Sequence, residues 1–131
     1  MIAGSGTNGT AKSIALSKAA EAAGADALLV VTPYYNKPTQ EGLFRHFTAI
    51  ADAVGIPVIL YNVPGRTACD MLADTVARLS HHPRIVGVKE ATCDVARGEA
   101  VLRQSRPGFV LLSCDDPTAA DLMRIGASGV I

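Results

Sequence analysis

The sequence has few cysteines, and their positions form no familiar pattern. Cys69, Cys93 and Cys114 are odd in number and far apart, with no CxxC spacing. Neither a disulfide framework nor a zinc site is therefore indicated. A reducing, cytoplasmic environment is expected for a chain of this kind.

An excess of charge of either sign is also missing. The 131 residues carry 12 Lys and Arg against 12 Asp and Glu, so the formal net charge is zero. This balance gives no basis for expecting nucleic acid or an anionic membrane as a partner. No stretch approaches the roughly 18 consecutive apolar residues that a membrane span requires. The first ten residues also lack the basic start and apolar run of a signal peptide.

The sequence does contain a regular alternation of short apolar runs and helical patterns. Runs predicted to be strands end at Thr32, Tyr61, Lys89 and Ser113, at intervals of about 24 to 29 residues. Strands and helices alternating at this spacing predict βαβ units and one parallel sheet. About six strands are expected in residues 1–131, whereas a (β/α)8 barrel has eight in about 250 residues. The strand count allows two architectures, an open, flavodoxin-like sheet or part of a barrel. The apolar runs at both chain ends are cut short, which favours part of a barrel.

Capping residues predict several helix boundaries. Thr10, Thr39 and Asp94 are suited to cap the helices that follow them. Asp116 is predicted to cap another helix, with the proline after it at the first helical position. The alternative for the adjacent pair Asp115 and Asp116 is an acid pair or a metal site.

Lys89 stands at the end of a predicted buried strand, in the segment Arg-Ile-Val-Gly-Val-Lys-Glu-Ala-Thr that runs from residue 84 to 92. Apolar surroundings disfavour the charged ammonium, so the neutral amine becomes accessible. A neutral amine is a Schiff-base nucleophile towards a carbonyl substrate. The alternative is an ordinary strand-end lysine whose amine extends to solvent.

Other polar residues are predicted on the same face, because parallel strands place their C-terminal ends on one side, where α/β active sites lie. Tyr61 could relay a proton or simply cover the core. Arg66 could bind a carboxylate through two hydrogen bonds or remain solvated. Tyr34 and Tyr35, in a proline-bounded loop, indicate either an interface or simple packing.

Three motifs occur in order, each at the C-terminal end of a predicted strand. They are Val-Thr-Pro-Tyr-Tyr-Asn-Lys-Pro ending at Pro38, Tyr-Asn-Val-Pro-Gly-Arg-Thr ending at Thr67, and Gly-Val-Lys-Glu-Ala-Thr ending at Thr92. Together they resemble the dihydrodipicolinate synthase family of class I pyruvate-dependent aldolases, and the resemblance runs the whole length. It implies an α/β fold that is part of a (β/α)8 TIM barrel, from the end of strand 3 to the start of strand 8.

The resemblance also implies a reaction and its residues. Pyruvate would condense with aspartate 4-semialdehyde to 4-hydroxy-tetrahydrodipicolinate, in lysine (diaminopimelate) biosynthesis, without a metal or organic cofactor. Lys89 would form the Schiff base and Tyr61 would relay protons beside it. Tyr35 would cross a dimer interface to complete the relay of a neighbouring subunit, so a homo-oligomer is expected. Arg66 would hold the carboxylate of the semialdehyde, and Ile131 would line the pyruvate pocket.

Some positions carry further expectations from the same resemblance. Asn8 and Tyr34 match a lysine-feedback site, but Lys12 stands where lysine-inhibited members carry an acid, so feedback inhibition is not expected. Cys93 and Cys114 replace glycines, and the Cys114 side chain should narrow a pocket. The family's Gly-Thr-Thr-Gly-Glu segment, which supplies the pyruvate-carboxylate site and a third relay hydroxyl, would lie before residue 1.

Two alternatives to this function remain. The chain could be a non-catalytic piece of a barrel that only self-associates. It could also be a sister pyruvate aldolase, such as an N-acetylneuraminate or 2-keto-3-deoxy sugar acid lyase. Arg66 favours the dihydrodipicolinate synthase family, because the corresponding motif of N-acetylneuraminate lyases lacks that arginine.

Overall fold

The computed structural model describes all 131 residues, in which six parallel strands alternate with helices as predicted. None of the helices combines the length and apolar character needed to cross a bilayer. The strands are β1 (Ile2–Gly4), β2 (Ala27–Val31), β3 (Val58–Asn62), β4 (Ile85–Glu90), β5 (Val110–Ser113) and β6 (Gly129–Val130). The helices are α1 (Thr10–Ala22), α2 (Gln40–Asp52), α3 (Pro64–Thr67), α4 (Ala73–Ser80), α5 (Val95–Gln104) and α6 (Asp116–Arg124).

The strand order identifies the architecture. The six strands lie in chain order from β1 to β6, and each pairs in parallel with its neighbour in sequence. A flavodoxin-like sheet has a point where the strand order reverses, and this sheet has none. The fold is therefore part of a (β/α)8 barrel, and the flavodoxin-like alternative is wrong.

The hydrophobic core lies between the sheet and its helices. Successive side chains of a strand point to opposite faces, and the helix-covered face holds fully buried Leu60, Val88 and Leu111, which pack in the same core as Leu43 and Phe47 of α2. Full burial of each such side chain contributes about 1.5–3 kcal/mol. The other face of the strands is less completely covered, and it carries the side chains described below.

Two of the predicted helix caps are confirmed. Thr39 accepts a hydrogen bond from the Gly42 N–H at 3.1 Å, and Asp94 accepts one from the Arg97 N–H at 3.0 Å. Each cap satisfies one of the backbone donors that a helix leaves unpaired at its start. The cap of α5 matters for the site, because it fixes the chain just after β4.

Two other cap predictions are wrong. The N-cap of α1 is Gly9, and the Thr10 hydroxyl is instead 2.9 Å from His46 Nδ1. The N-cap of α6 is Asp115, one residue earlier than predicted, and its side chain makes no cap bond. The Asp115 carboxylate accepts the Cys93 N–H instead, at 3.2 Å. No group of three or more His, Cys, Asp or Glu side chains is placed to hold a metal ion.

Candidate active site

The structure brings Lys89 and Tyr61 together at the C-terminal ends of two neighbouring strands. The β3–β4 register places Tyr61 directly opposite Lys89. Lys89 Nζ lies 4.7 Å from the centre of the Tyr61 ring, and Lys89 is only 9% exposed. This is the geometry of a cation–π contact, in which the face of an aromatic ring attracts a positive charge. Lys89 is thus not the freely solvated strand-end lysine that was the alternative.

The Tyr61 hydroxyl faces the exit of β5, two strands along the sheet from β3. It lies 3.7 Å from Cys114 Sγ, just after β5. Burial raises the pKa of Tyr61 to about 12, with the contact to Cys114 as the next cause. The phenol keeps its proton at neutral pH, as it would at its ordinary pKa of 10.0, and a proton donor or relay needs that proton.

A cleft of about 540 Å³ opens beside Tyr61 and reaches Arg66. Arg66 lies on α3, a single helical turn where the sequence predicted only a loop, and Ala68 ends that turn with φ 53°. The Arg66 guanidinium is exposed and is paired with no carboxylate of the protein. Its donors are available to a carboxylate that enters the cleft. The lining consists of Tyr61, Val63, Gly65, Arg66, Ala91, Cys114 and Asp115.

Ile131 does not line this cleft. It lines a smaller cavity of about 190 Å³, which shares Cys114 and Asp115 with the cleft. The Ile131 N–H donates to the Ser113 carbonyl at 3.0 Å, which continues the β5–β6 pairing. The expectation that Ile131 lines a pyruvate pocket stays a prediction, and the structure places the residue next to the cleft.

The two cysteines at expected glycine positions lie in the exits of adjacent strands. Cys93 has φ 54°, in the left-handed region that glycine adopts without cost. Its thiol is exposed, and a hydrogen bond to Asp115 raises the pKa of that thiol. Cys114 lines both the cleft and the smaller cavity, and it contacts Tyr61. The expectation that its thiol narrows the pocket stays a prediction.

The structure does not bring Tyr35 to Lys89. Tyr35 has φ 74°, is 88% exposed, and does not line the cleft. Asn8 and Tyr34 lie in neighbouring loops linked by Asn36, whose side chain donates to the Asn8 carbonyl and whose N–H donates to the Tyr34 carbonyl, both at 2.9 Å. Their assignment to an effector site stays a prediction.

Sequence reasoning missed a buried polar cluster on the opposite, helix-covered side of β3 and β4. Asn62 and Glu90 follow Tyr61 and Lys89 directly, and they are 0% and 2% exposed. Glu90 pairs with Arg97 of α5 at 2.9 Å, and burial raises the pKa of the Glu90 carboxyl although Arg97 and Asn62 oppose that effect. The sequence did hold a signal for this cluster, because Asn62 and Glu90 are polar residues at matching positions of two otherwise apolar strands.

Comparison with known proteins gives a consistent result. A model of the dihydrodipicolinate synthetase family matches residues 1–131. The 4-hydroxy-tetrahydrodipicolinate synthase of Stutzerimonas stutzeri is 60% identical over 131 residues, which are 100% of this chain and 45% of that protein.

Solved structures agree with this match. A dihydrodipicolinate synthase from Acinetobacter baumannii, complexed with pyruvate, is 56% identical with a TM-score of 0.96, over 99% of this chain and 45% of that one. The enzyme of Cyanidioschyzon merolae with lysine bound is 42% identical with a TM-score of 0.95, over 99% and 44% of the two chains. The chain thus spans less than half the length of the proteins it matches.

Proposed function

This chain belongs to the dihydrodipicolinate synthetase family, and we propose that it carries the Schiff-base centre of a pyruvate aldolase in lysine biosynthesis. The reaction is the condensation of pyruvate with aspartate 4-semialdehyde to 4-hydroxy-tetrahydrodipicolinate. The observation that carries the proposal is the Lys89 amine held 4.7 Å from the centre of the Tyr61 ring, at the C-terminal ends of β4 and β3.

The proposed chemistry begins at Lys89 Nζ, which attacks the keto carbon of pyruvate. Loss of water from the carbinolamine gives an iminium ion, and loss of a methyl proton then gives an enamine. The enamine carbon forms the new carbon–carbon bond to the aldehyde carbon of the semialdehyde. The amino group of the semialdehyde then attacks the iminium carbon, which closes the ring and frees Lys89. The iminium ion is the electron sink, so no metal or organic cofactor is needed.

Tyr61 is proposed to move protons at the carbinolamine oxygen. Its phenol is protonated at neutral pH, since the ordinary pKa of 10.0 already lies above neutrality and burial raises the pKa of Tyr61 further, to about 12. A positioned proton donor of this kind contributes about 10²- to 10⁴-fold to a rate. The amine and the phenol belong to directly paired residues, so one substrate carbonyl can reach both.

Two further residues complete the proposal. Arg66 lines the same cleft as Tyr61 and is free of protein carboxylates, so it can bind the carboxylate of the semialdehyde. Tyr35 is 88% exposed and away from its own cleft, so its phenol is available to a second copy of the chain. The proposed assembly is therefore a homo-oligomer, with Tyr35 of one subunit near the relay of another.

Turnover with defined aldehydes tests this function. The chain mixed with pyruvate and aspartate 4-semialdehyde should form the heterocyclic product, and Lys89→Arg, which keeps the charge but removes the primary amine, should abolish it. Product formed only with an amino-sugar or sugar-acid aldehyde would reassign the chain to a sister lyase. No product with any aldehyde would support the non-catalytic alternative.

A further inference from the structure

The buried polar cluster behind the site consists of Asn62, Glu90 and Arg97, with Asp70 and Met71 attached to it. We propose that this cluster positions Lys89 and Tyr61 and fixes the segment that follows Arg66, and that it is more than a structural ion pair. The kinetic part of this inference rests on the proposed function. Its structural part does not.

Strand alternation connects the cluster to the site. Asn62 follows Tyr61 on β3 and Glu90 follows Lys89 on β4, and the register pairs Tyr61 with Lys89 and Asn62 with Glu90. Because successive side chains point to opposite faces, Lys89 and Tyr61 lie on one face while Glu90 and Asn62 lie on the other. A shift of either cluster residue therefore moves the adjacent site residue through a single peptide unit.

The hydrogen bonds of the cluster leave little freedom. Asn62 Nδ2 donates to Glu90 Oε1 at 2.9 Å, and Arg97 Nε donates to Glu90 Oε2 at 2.9 Å. Both carboxylate oxygens of Glu90 are thus held by donors. Asn62 Nδ2 also donates to Asp70 Oδ1 at 2.9 Å, and Asn62 Oδ1 accepts the Met71 N–H at 3.0 Å. The Asn62 side chain therefore uses both its donor and its acceptor ends.

The cluster also fixes the segment after Arg66. Arg97 donates to the Met71 carbonyl and lies 3.7 Å from Asp70 Oδ1. Asp70 and Met71 come shortly after the turn that carries Arg66, which ends at Thr67. The main chain of Glu90 extends the connection, because its carbonyl accepts the Cys114 N–H at 3.0 Å. Contacts from one cluster thus reach every exit segment that lines the cleft.

Stability alone gives a weak reason for such a cluster. Glu90 is 2% exposed, and its charge is costly to bury even when paired. Well-packed apolar residues of similar volume often stabilise a core as well as a buried ion pair does. Apolar residues cannot form directional hydrogen bonds, and such bonds fix the positions of the C-terminal ends of β3 and β4.

Two substitutions and one control test the proposal. Glu90→Gln keeps the volume, but its amide offers one acceptor to two donors, Asn62 Nδ2 and Arg97 Nε, so one contact is lost. Arg97→Lys keeps the charge and loses the planar fork of donors. The control is Ser80→Ala, which removes a fully buried hydroxyl that bonds Ala77 and Arg106 near the opposite end of β4.

The kinetic readout is the rate of pyruvate adduct formation, trapped with borohydride, together with kcat and KM. We expect Glu90→Gln and Arg97→Lys to slow trapping and kcat by about 10- to 100-fold, with KM for pyruvate little changed. Ser80→Ala of comparable thermal stability should react like the parent chain. Equal rates in all of these variants would overturn the inference.

A second readout is independent of activity. The chain has three tyrosines, so the ¹³Cζ resonance of Tyr61 can be assigned by Tyr61→Phe. The cluster variants should shift that resonance, while Ser80→Ala leaves it in place. If the parent chain forms no pyruvate adduct, the proposed function fails but this measurement still decides the positioning role. An unshifted resonance in both cluster variants would reject it.

Discussion

The pKa of the Tyr61 hydroxyl depends on its immediate surroundings. Burial is the main cause that raises its pKa to about 12, and the contact with Cys114 is the next. Because the folded-state pKa lies above the ordinary value of 10.0, the phenol stabilises the fold at every pH below about 10. That stabilisation is lost as the pH rises through about 12.

Replacing Cys114 should therefore change the titration of Tyr61. Cys114→Gly removes the thiol 3.7 Å from the hydroxyl, and because this side chain lines both cavities its loss should admit more water beside Tyr61. Both causes of the raised pKa weaken, so the pKa of Tyr61 should fall towards its ordinary value. Ultraviolet titration of tyrosinate measures this, and Tyr61→Phe identifies the step that belongs to Tyr61.

The control for that titration is Cys93→Gly, which lies in the neighbouring exit and has no contact with the Tyr61 hydroxyl. Its titration should match that of the parent chain. A Tyr61 step that stays near pH 12 in Cys114→Gly would show that the thiol contributes nothing to the environment of the phenol.

At the scale of a single element, β4 carries Lys89 in a tightly packed position. A Cβ added at Gly87 would lie 2.6 Å from the Val110 carbonyl oxygen and 2.9 Å from Val110 Cβ. Real Cβ atoms do not approach backbone so closely, so β4 and β5 would have to separate. Gly87 shares a strand face with Lys89, two residues later.

We expect Gly87→Ala to lower the free energy of unfolding by about 1–3 kcal/mol and to slow reaction at Lys89. Gly4→Ala on β1, where an added Cβ meets nothing within 4 Å, should change stability by less than about 0.5 kcal/mol. Denaturant unfolding of both variants is the measurement. Equal stabilities would mean that β4 and β5 are less closely packed than described.

The elements themselves were largely predictable from sequence. The apolar runs before Tyr61 and Lys89 predicted β3 and β4 within one or two residues, because a buried parallel strand needs such a run. The Asn62–Glu90 contact was not predictable in the same way. It joins residues 28 positions apart, and only the strand register shows that they meet. The Asp115 carboxylate makes no cap bond and accepts the Cys93 N–H, 22 positions away, a contact that the local sequence pattern does not show.

For the whole molecule, the two edge strands are the exposed part of the sheet. Ile2 of β1 is 46% exposed and Val130 of β6 is 62% exposed. Edge strands present unpaired backbone groups, and apolar edges promote association. The exposed Tyr35 adds a further surface for a second copy.

We therefore expect the chain to self-associate, with a mass by light scattering of at least two chains. The double variant Ile2→Lys and Val130→Lys should reduce association through the edges. Leu16→Lys, a similarly exposed position on α1 at 43%, is the control and should not reduce it. A parent chain that stays monomeric at high concentration contradicts this expectation.

The central claim is that Lys89 forms a Schiff base with pyruvate, and borohydride reduction tests it most directly. The intact chain treated with pyruvate and borohydride should gain the mass of one reduced adduct, located at Lys89 by peptide mass spectrometry. Lys89→Arg should gain none, and omission of pyruvate should leave the chain unmodified. An unmodified parent chain, or an adduct on another lysine, would contradict the account.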